Sequence, residues 1–403
     1  MTKKKILVVT PRLPVPPPGA CEKDRYYNMI QLRDLGYEVA VLSKVYPWYD
    51  ALAAREFERQ QGITVTTVPY EFKGKRSLLF WLKHLLPWNW DGAAYEYTHS
   101  SVRQAFAKLL NEFKPDLVWF DYTYLWPLYS EVKKRGIPII TRSINFEARH
   151  FLEEDGYTLL NFIRFIPKFF SELITIKMSD WLYAITPDEQ KTYEKYGGKK
   201  NGVSKISTLI LRGLPKVLGR QVPVHDRREL KVFFMGSTYH VHHNKAALAY
   251  IIEKIAPIVH ENAPGKFVFH ILGKQIPEDL MPYIKDNVKY VGYQNPVEYL
   301  PDMDIAVTPS LFGAGMQQKI FEPLAFGFPS VTHARAIAGY DFQDGEHYLA
   351  ATTPEDFAEK IISLADPALR KRLSDAAYAR ARELFAQEKI DQEVTIVLAK
   401  LLK

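Results

Sequence analysis

A single cysteine, Cys21, stands in 403 residues. That excludes an intramolecular disulfide and any cysteine-based metal cluster. No run reaches the ~18 apolar residues needed to cross a bilayer. Low-complexity tracts, blocks of like charge and short repeats are also missing, which excludes a disordered chain and a solenoid. Lys3, Lys4 and Lys5 precede an apolar run, Ile6 to Val9, in the manner of a secretory leader. The run stops in Pro11-Arg-Leu-Pro14, too soon for a leader's hydrophobic core. The chain is therefore read as cytoplasmic.

What is present suits a globular enzyme-sized protein. Hydrophobic residues make up 47% and charged residues 25%, and the length is beyond what one core fills, so two domains are expected. The formal net charge of +7 favours anionic partners. The basic residues are spread along the chain, so no nucleic-acid partner is expected. Aromatic residues reach 13%, a content that suits sugars or a membrane interface.

Short β-branched runs alternate with helical patterns. Lys5–Thr10, Glu38–Ser43, Ile63–Val68, Asp116–Asp121, Ile137–Thr141 and Trp181–Ile185 read as strands, with helices at Asp24–Leu35 and Ser101–Phe113. The series restarts after a Pro/Gly-rich, charged stretch at 212–228. Leu230–Met235, Phe267–Leu272, Val288–Val291, Asp304–Val307 and Ser330–Thr332 read as strands, with helices at Asn244–His260, Pro354–Leu364 and Pro367–Ala386. Strand–helix alternation predicts parallel sheets covered on both faces. The fold class is thus α/β, two doubly wound Rossmann-like domains, with ligands at the C-terminal ends of the strands. Domain bounds are set at 1–213 and 214–385, with 386–403 as a final helix.

One segment points to phosphate. The strand at Asp304 runs into a turn, then Gly313-Ala314-Gly315-Met316, then a helical stretch with Lys319 and Glu322. Glycines let backbone approach a bulky anion, and helix-start N–H groups point at it. Lys319 would face the phosphates as a point charge. Glu322, about one turn further, would accept hydrogen bonds from ribose hydroxyls. Pro323 directly after Glu322 is expected to bias that residue away from helical geometry. By itself the segment reads equally as a loop glycine pair on a solvated helix.

The order of its surroundings separates these readings. Gly236-Ser237 follows the first strand of the second half, then His243-Asn244, Gly273-Lys274, and finally Gly313-x-Gly-x-x-x-Lys319-x-x-Glu322 with Gly327 and Pro329. This order resembles the C-terminal domain of family 4 retaining glycosyltransferases, in particular the exopolysaccharide-associated sugar transferases. In the first half, Gly19 after the first strand, Arg142-Ser-Ile-Asn145-Phe-Glu147 and Thr186-Pro-Asp188 are similar to that family's pattern.

The resemblance implies a GT-B fold with two domains facing a cleft. It implies a nucleotide-diphosphate sugar as donor, retention of configuration, no cofactor and no metal. Gly19, Gly236, Ser237, His243, Gly273, Lys274, Gly313 to Met316, Lys319 and Glu322 would bind the donor. Arg142, Asn145 and Glu147 would lie on the acceptor side, with Asp121 and Asn145 beside Lys319 and Glu322 as catalytic candidates. The resemblance also implies that the final helix crosses back onto the first domain. Three departures stand out: Ala314 where many members carry a first glutamate, Ile144 for a histidine, and Ser237 for an arginine. Ile144 and Ala314 keep open an alternative, a non-catalytic nucleotide-sugar-binding partner of an active transferase.

Three other features complete the reading. Residues 73–90 interleave Lys and Arg with Leu and Trp, as segments lying in a membrane interface do, and give a peripheral membrane contact as an expected partner. Asn161–Ile176 is amphipathic and aromatic, and is read as a helix packing on the core. His240, His242 and His243 lack a nearby carboxylate or cysteine, so no zinc site is expected there.

Overall fold

The computed structural model describes residues 3–17, 19–45, 50–69, 91–197, 202–209, 211, 221, 223–311, 317–334 and 340–403. The chain divides into two compact units, Met1–Ile210 with Gln387–Lys403, and Leu211–Ala386.

The first unit is built on seven strands: β1 Lys5–Thr10, β2 Glu38–Val45, β3 Thr64–Pro69, β4 Leu117–Asp121, β5 Ile139–Arg142, β6 Trp181–Ala184 and β7 Gly202–Lys205. Their order is β3-β2-β1-β4-β5-β6-β7, and every pairing is parallel. The central strands are apolar without alternation because both faces are covered: Ile6, Leu7 and Val8 are fully buried, as are Leu117 to Phe120. Helix α1 spans Ala20–Asp34, α2 Glu147–Asp155, α3 Leu159–Met178 and α4 Pro187–Gly197.

The second unit carries six strands: β8 Leu230–Thr238, β9 Phe267–Lys274, β10 Val288–Gly292, β11 Ile305–Thr308, β12 Ser330–His333 and β13 Leu349–Ala351. The order is β10-β9-β8-β11-β12-β13, again all parallel. Helix α5, His242–Ala249, leads through a π-helical stretch at Tyr250–Ile255 into a further helix, Ala256–Asn262. Helix α6 spans Gln318–Phe326, and two long helices follow at Pro354–Ser363 and Pro367–Leu384. The last helix, α7 at Gln387–Leu401, packs in the first unit: Asp391 accepts from Gln31 at 2.7 Å, and Glu393 accepts from the Ser207 amide at 2.7 Å.

One device sets strand register in both sheets. Asp116, just before β4, accepts the Lys5 N–H of β1 at 2.8 Å and returns its own amide to the Lys5 carbonyl. Asp180 before β6 exchanges the same two bonds with Ile139 of β5, and Asp304 before β11 with Lys231 of β8. Each aspartate replaces the ladder contact that the strand's first residue would otherwise lack.

In each sheet the strand order reverses at one place, between β1 and β4 and between β8 and β11. Loops diverge there at the C-terminal ends of the strands and leave a crevice for a ligand.

Candidate functional site

In the second unit, Thr308 ends β11 and α6 begins ten residues later. Residues 312–316 in between, with Gly313, Ala314, Gly315 and Met316, lie outside the described residues. The flanks are joined by a hydrogen bond from the Ser310 hydroxyl to the Gln317 side chain.

Lys319 is the second residue of α6. Its ammonium donates to the Asn244 side-chain oxygen at 3.1 Å, and the Asn244 amide nitrogen donates to the Thr238 carbonyl at 3.1 Å. Asn244 is buried at the start of α5, so the C-terminal end of β8 and the start of α6 meet at this pair. Burial pushes the Lys319 amine down to about 8. No carboxylate is paired with it among the described residues. An ammonium that is desolvated and held only by a neutral amide is set to receive an anion.

Pro323 does not displace Glu322, contrary to the expectation from sequence. Helix α6 runs through the proline. A proline inside a helix leaves the carbonyl four residues back without its amide partner. That carbonyl belongs to Lys319, and the Thr308 hydroxyl donates to it at 3.3 Å. Glu322 therefore stays helical, buried, with its carboxylate accepting from Gln318 at 2.8 Å. Gly327, in the left-handed region at φ 82°, ends the helix.

The remaining expected donor residues are placed differently. Gly236 and Gly273 flank the buried Tyr239 ring. A Cβ on Gly236 would lie 2.4 Å from that ring, and one on Gly273 would lie 2.1 Å from the Gly236 carbonyl. These glycines are thus required by close packing whatever they bind. Lys274 is exposed, its ammonium 4.7 Å from the Tyr293 ring centroid. His243 is half-buried, His240 and His242 are exposed, and the Ser237 side chain lies outside the described part. Among the described residues no group of His, Cys, Asp and Glu is placed to hold a metal ion.

In the first unit, Thr10 and Asp121 end the two strands at the reversal, β1 and β4. Asp121 is fully buried, and its carboxylate accepts from the Trp119 indole at 3.1 Å. Burial pushes its carboxyl up to about 7, against the pull of the Arg25 guanidinium. Arg25 of α1 donates to the Thr10 hydroxyl at 3.1 Å, to the Cys21 and Arg12 carbonyls at 3.2 Å each, and to Glu22 at 3.2 Å. Its guanidinium lies 5.4 Å from the Tyr122 ring centroid. Tyr122 follows Asp121 at φ 145° and ψ 150°, a region essentially reserved for glycine. Its ring stacks on Tyr124 at 4.9 Å. Gly19 caps the start of α1 in an extended conformation.

Arg142, expected on the acceptor side, lies inside the first unit. It is fully buried and ion-paired with Asp24, whose carboxylate also accepts from the Leu209 amide at 2.7 Å and the Thr208 hydroxyl at 3.1 Å. It ties α1 to β5 and has no surface left for an acceptor. Asn145, on the loop before α2, and Glu147, the first residue of α2, are half-buried and held from beneath. Glu172 of α3 accepts the Glu147 amide at 2.8 Å, and Glu189 accepts the Phe146 amide at 3.2 Å. Burial, reinforced by the charge of Glu147, pushes the Glu172 carboxyl well above the usual range, and burial pushes Glu189 up to about 7.

The structure therefore groups Lys319 and Glu322 with Asn244 in one unit, and Asp121 with Thr10, Arg25 and Tyr122 in the other. Sequence reasoning missed Asn244, Arg25 and Tyr122. Asn244 adjoins the expected His243, and a histidine–asparagine pair at a helix start leaves open which one turns inward. For Arg25 and Tyr122 the sequence carries no signal.

Residues 229–366, within the second unit, match the family described as glycosyl transferases group 1. No curated protein sequence matches the chain. Among solved structures, the sucrose-phosphate synthase of Thermosynechococcus elongatus superposes with a TM-score of 0.69 at 13% identity, covering 99% of each chain. Anabaena HepE in complex with UDP and glucose gives 0.65 at 13% identity, covering 98% of this chain and 100% of that one. A variant of TarM from S. aureus, in complex with fondaparinux, alpha-GlcNAc-glycerol and UDP, gives 0.66 at 12% identity, covering 99% and 100%. These likenesses show the fold, which is the two-domain Rossmann-like GT-B fold.

Proposed function

We propose that the chain is a retaining glycosyltransferase. It moves a sugar from a nucleotide-diphosphate sugar to a hydroxyl acceptor, in bacterial polysaccharide, glycolipid or glycoconjugate synthesis. The observation that carries this reading is Lys319, a desolvated ammonium held by Asn244 where the second sheet's strand order reverses. The match of residues 229–366 to glycosyl transferases group 1 supports it. So do the ligands of two structures of the same fold, UDP with glucose in HepE and UDP with alpha-GlcNAc-glycerol in TarM.

In this reading Lys319 and the amides of Gly313 to Met316 neutralise the diphosphate as it leaves. Each such preorganised donor contributes about 3 kcal/mol of barrier lowering. Lys319 supplies the cation, so the reading requires no metal and no cofactor. Glu322 holds the ribose hydroxyls. The acceptor hydroxyl approaches the face that the diphosphate leaves and passes its proton to a departing phosphate oxygen, so configuration is retained. Asn145 and Glu147, at the braced start of α2, orient the acceptor; Asp121 acts from beneath by fixing that end of the sheet. The protein works in the cytoplasm, and the Trp-rich stretch 73–90, which lies outside the described residues, is a peripheral membrane contact.

The test is sugar transfer, or donor hydrolysis, by the purified chain against a panel of nucleotide sugars, with product anomers assigned by NMR. Lys319→Ala is expected to abolish turnover with an unchanged circular dichroism spectrum. Normal turnover in that variant, or an inverted product, overturns the reading.

A further inference from the structure

Helix α3 wears its apolar side outward. Among the described residues, the exposed large hydrophobic side chains concentrate on it: Leu159 (81%), Leu160, Phe162, Ile163, Ile166 and Phe170 are all about half exposed or more, with Tyr157 just ahead. Leu159, Ile163, Ile166 and Phe170 are spaced by four, three and four residues, so they form one stripe, and Phe162 lies one turn from Ile166. The stripe is about 16 Å long at the rise of an α-helix.

The opposite side of the same helix is turned inward, and beside Phe165, Pro167, Phe169 and Ile176 it contributes polar groups. Buried Asn161 donates to the Asp155 and Gly156 carbonyls at 2.9 and 3.0 Å. Ser171 donates to Asp91 at 2.6 Å, Thr175 donates to the Thr123 carbonyl, and Glu172 holds the Glu147 amide. A helix serving only a water-facing surface has the reverse pattern. The sequence expectation that 161–176 packs its apolar face on the core holds for Phe165, Phe169 and Ile176, but Phe162, Ile163, Ile166 and Phe170 face outward.

Charge identifies what covers this face. From Gly156 to Ser171 there is no carboxylate; Arg164 is exposed, while half-buried Lys168 lies 3.5 Å from the Asp91 carboxylate, which leaves Arg164 as the outward charge. Such a surface suits an apolar medium bounded by negative charge. No helix among the described residues is long and apolar enough to cross a membrane.

We infer that the Leu159–Phe170 face of α3 docks on the surface of an anionic lipid bilayer, with its apolar stripe in the boundary between headgroups and acyl chains. The inference does not rest on the transferase reading, because its readout is vesicle binding without any donor.

The experiment is co-sedimentation of the full chain with vesicles of phosphatidylcholine and phosphatidylglycerol, and with phosphatidylcholine alone. The parent chain is expected to bind the mixed vesicles, and the neutral ones more weakly. The variant Ile163→Ser/Ile166→Ser/Phe170→Ser is expected to bind about a hundredfold more weakly. Its melting temperature should stay within about 2 °C of the parent's, because the three side chains are exposed. Three outcomes overturn the inference: no binding by the parent, equal binding by parent and variant, or equal binding to neutral and anionic vesicles. A parent dimer that the variant converts to monomer also overturns it and assigns the face to a second copy of the chain.

Discussion

The Lys319 ammonium lies 3.1 Å from the Asn244 side-chain oxygen, and the nitrogen of that same amide is committed to the Thr238 carbonyl. The second bond fixes which end of Asn244 faces the lysine. The cation is thus oriented by a group that does not neutralise it.

A pH dependence follows. Burial brings the free Lys319 amine to about 8. A bound diphosphate favours the ammonium and raises that value. Affinity for the nucleoside diphosphate of the donor should therefore be level below pH 8 and fall as pH rises through 8, by up to about tenfold per pH unit until the bound-state value is reached. In Lys319→Arg the guanidinium stays charged, so the curve should be flat to about pH 10. Isothermal titration at pH 7 and 9 distinguishes them; the same slope in both proteins would place the titrating group elsewhere.

The Thr308 hydroxyl takes the carbonyl that Pro323 frees, so the two residues should be energetically coupled. Thr308→Val is expected to cost about 1–2 kcal/mol in the parent. It should cost less beside Pro323→Ala, where an amide again reaches that carbonyl. Urea unfolding of the four proteins in the cycle gives the coupling. Strict additivity would mean that the hydroxyl does not replace the missing bond.

The buried pair of Arg142 and Asp24 should behave as a structural clamp. Arg142→Met leaves Asp24 uncompensated and is expected to destabilise by about 3–5 kcal/mol. Donor affinity, measured where the variant is still folded, should be unchanged. A loss of acceptor affinity without a loss of stability would restore Arg142 to the acceptor side.

Asp121 works against stability when ionised. Its folded value is raised to about 7, against 3.8 in an unfolded chain. Between those values the folded state holds the extra proton, so stability falls as pH rises from about 4 to 7. Asp121→Asn should remove this falling limb, leaving the variant at pH 8 at least as stable as the parent, by a margin of at most a few kcal/mol. Denaturant melts at pH 5 and 8 measure it, and parallel pH profiles would contradict the assignment.

Strands whose neighbours on both sides demand burial were readable from sequence. Lys5–Thr10 and Trp181–Ala184 stand where their β-branched and aromatic runs place them. Gly202–Lys205 and Leu349–Ala351 were not, because each is a short edge strand with a single partner strand and a half-buried pattern that no run announces. The same limit applied at the site. Lys319 and Glu322 were singled out by the order of motifs around them, not by local spacing alone. Asn244 was not, because adjacent residues on a helix point about 100° apart and only the packing of α5 decides which one turns inward. Arg25 reaches Thr10 across a loop, and Tyr122 holds a backbone conformation that no local pattern announces; neither leaves a periodic trace. The apolar face of α3 was legible as amphipathic, yet amphipathicity alone does not say which face is inside.

Asp116, Asp180 and Asp304 all act at the rim where their strands begin, opposite the rim that carries Thr10, Asp121 and the Thr308 end of β11. Each sheet thereby keeps its alignment with groups on the rim away from the C-terminal strand ends, where a doubly wound sheet takes its ligand. Loops on the far rim can lengthen, shorten or exchange side chains without shifting one strand against the next. A change of substrate and a loss of alignment are then separable events, and in chains of this architecture variation should accumulate on one rim while the aspartates on the other persist.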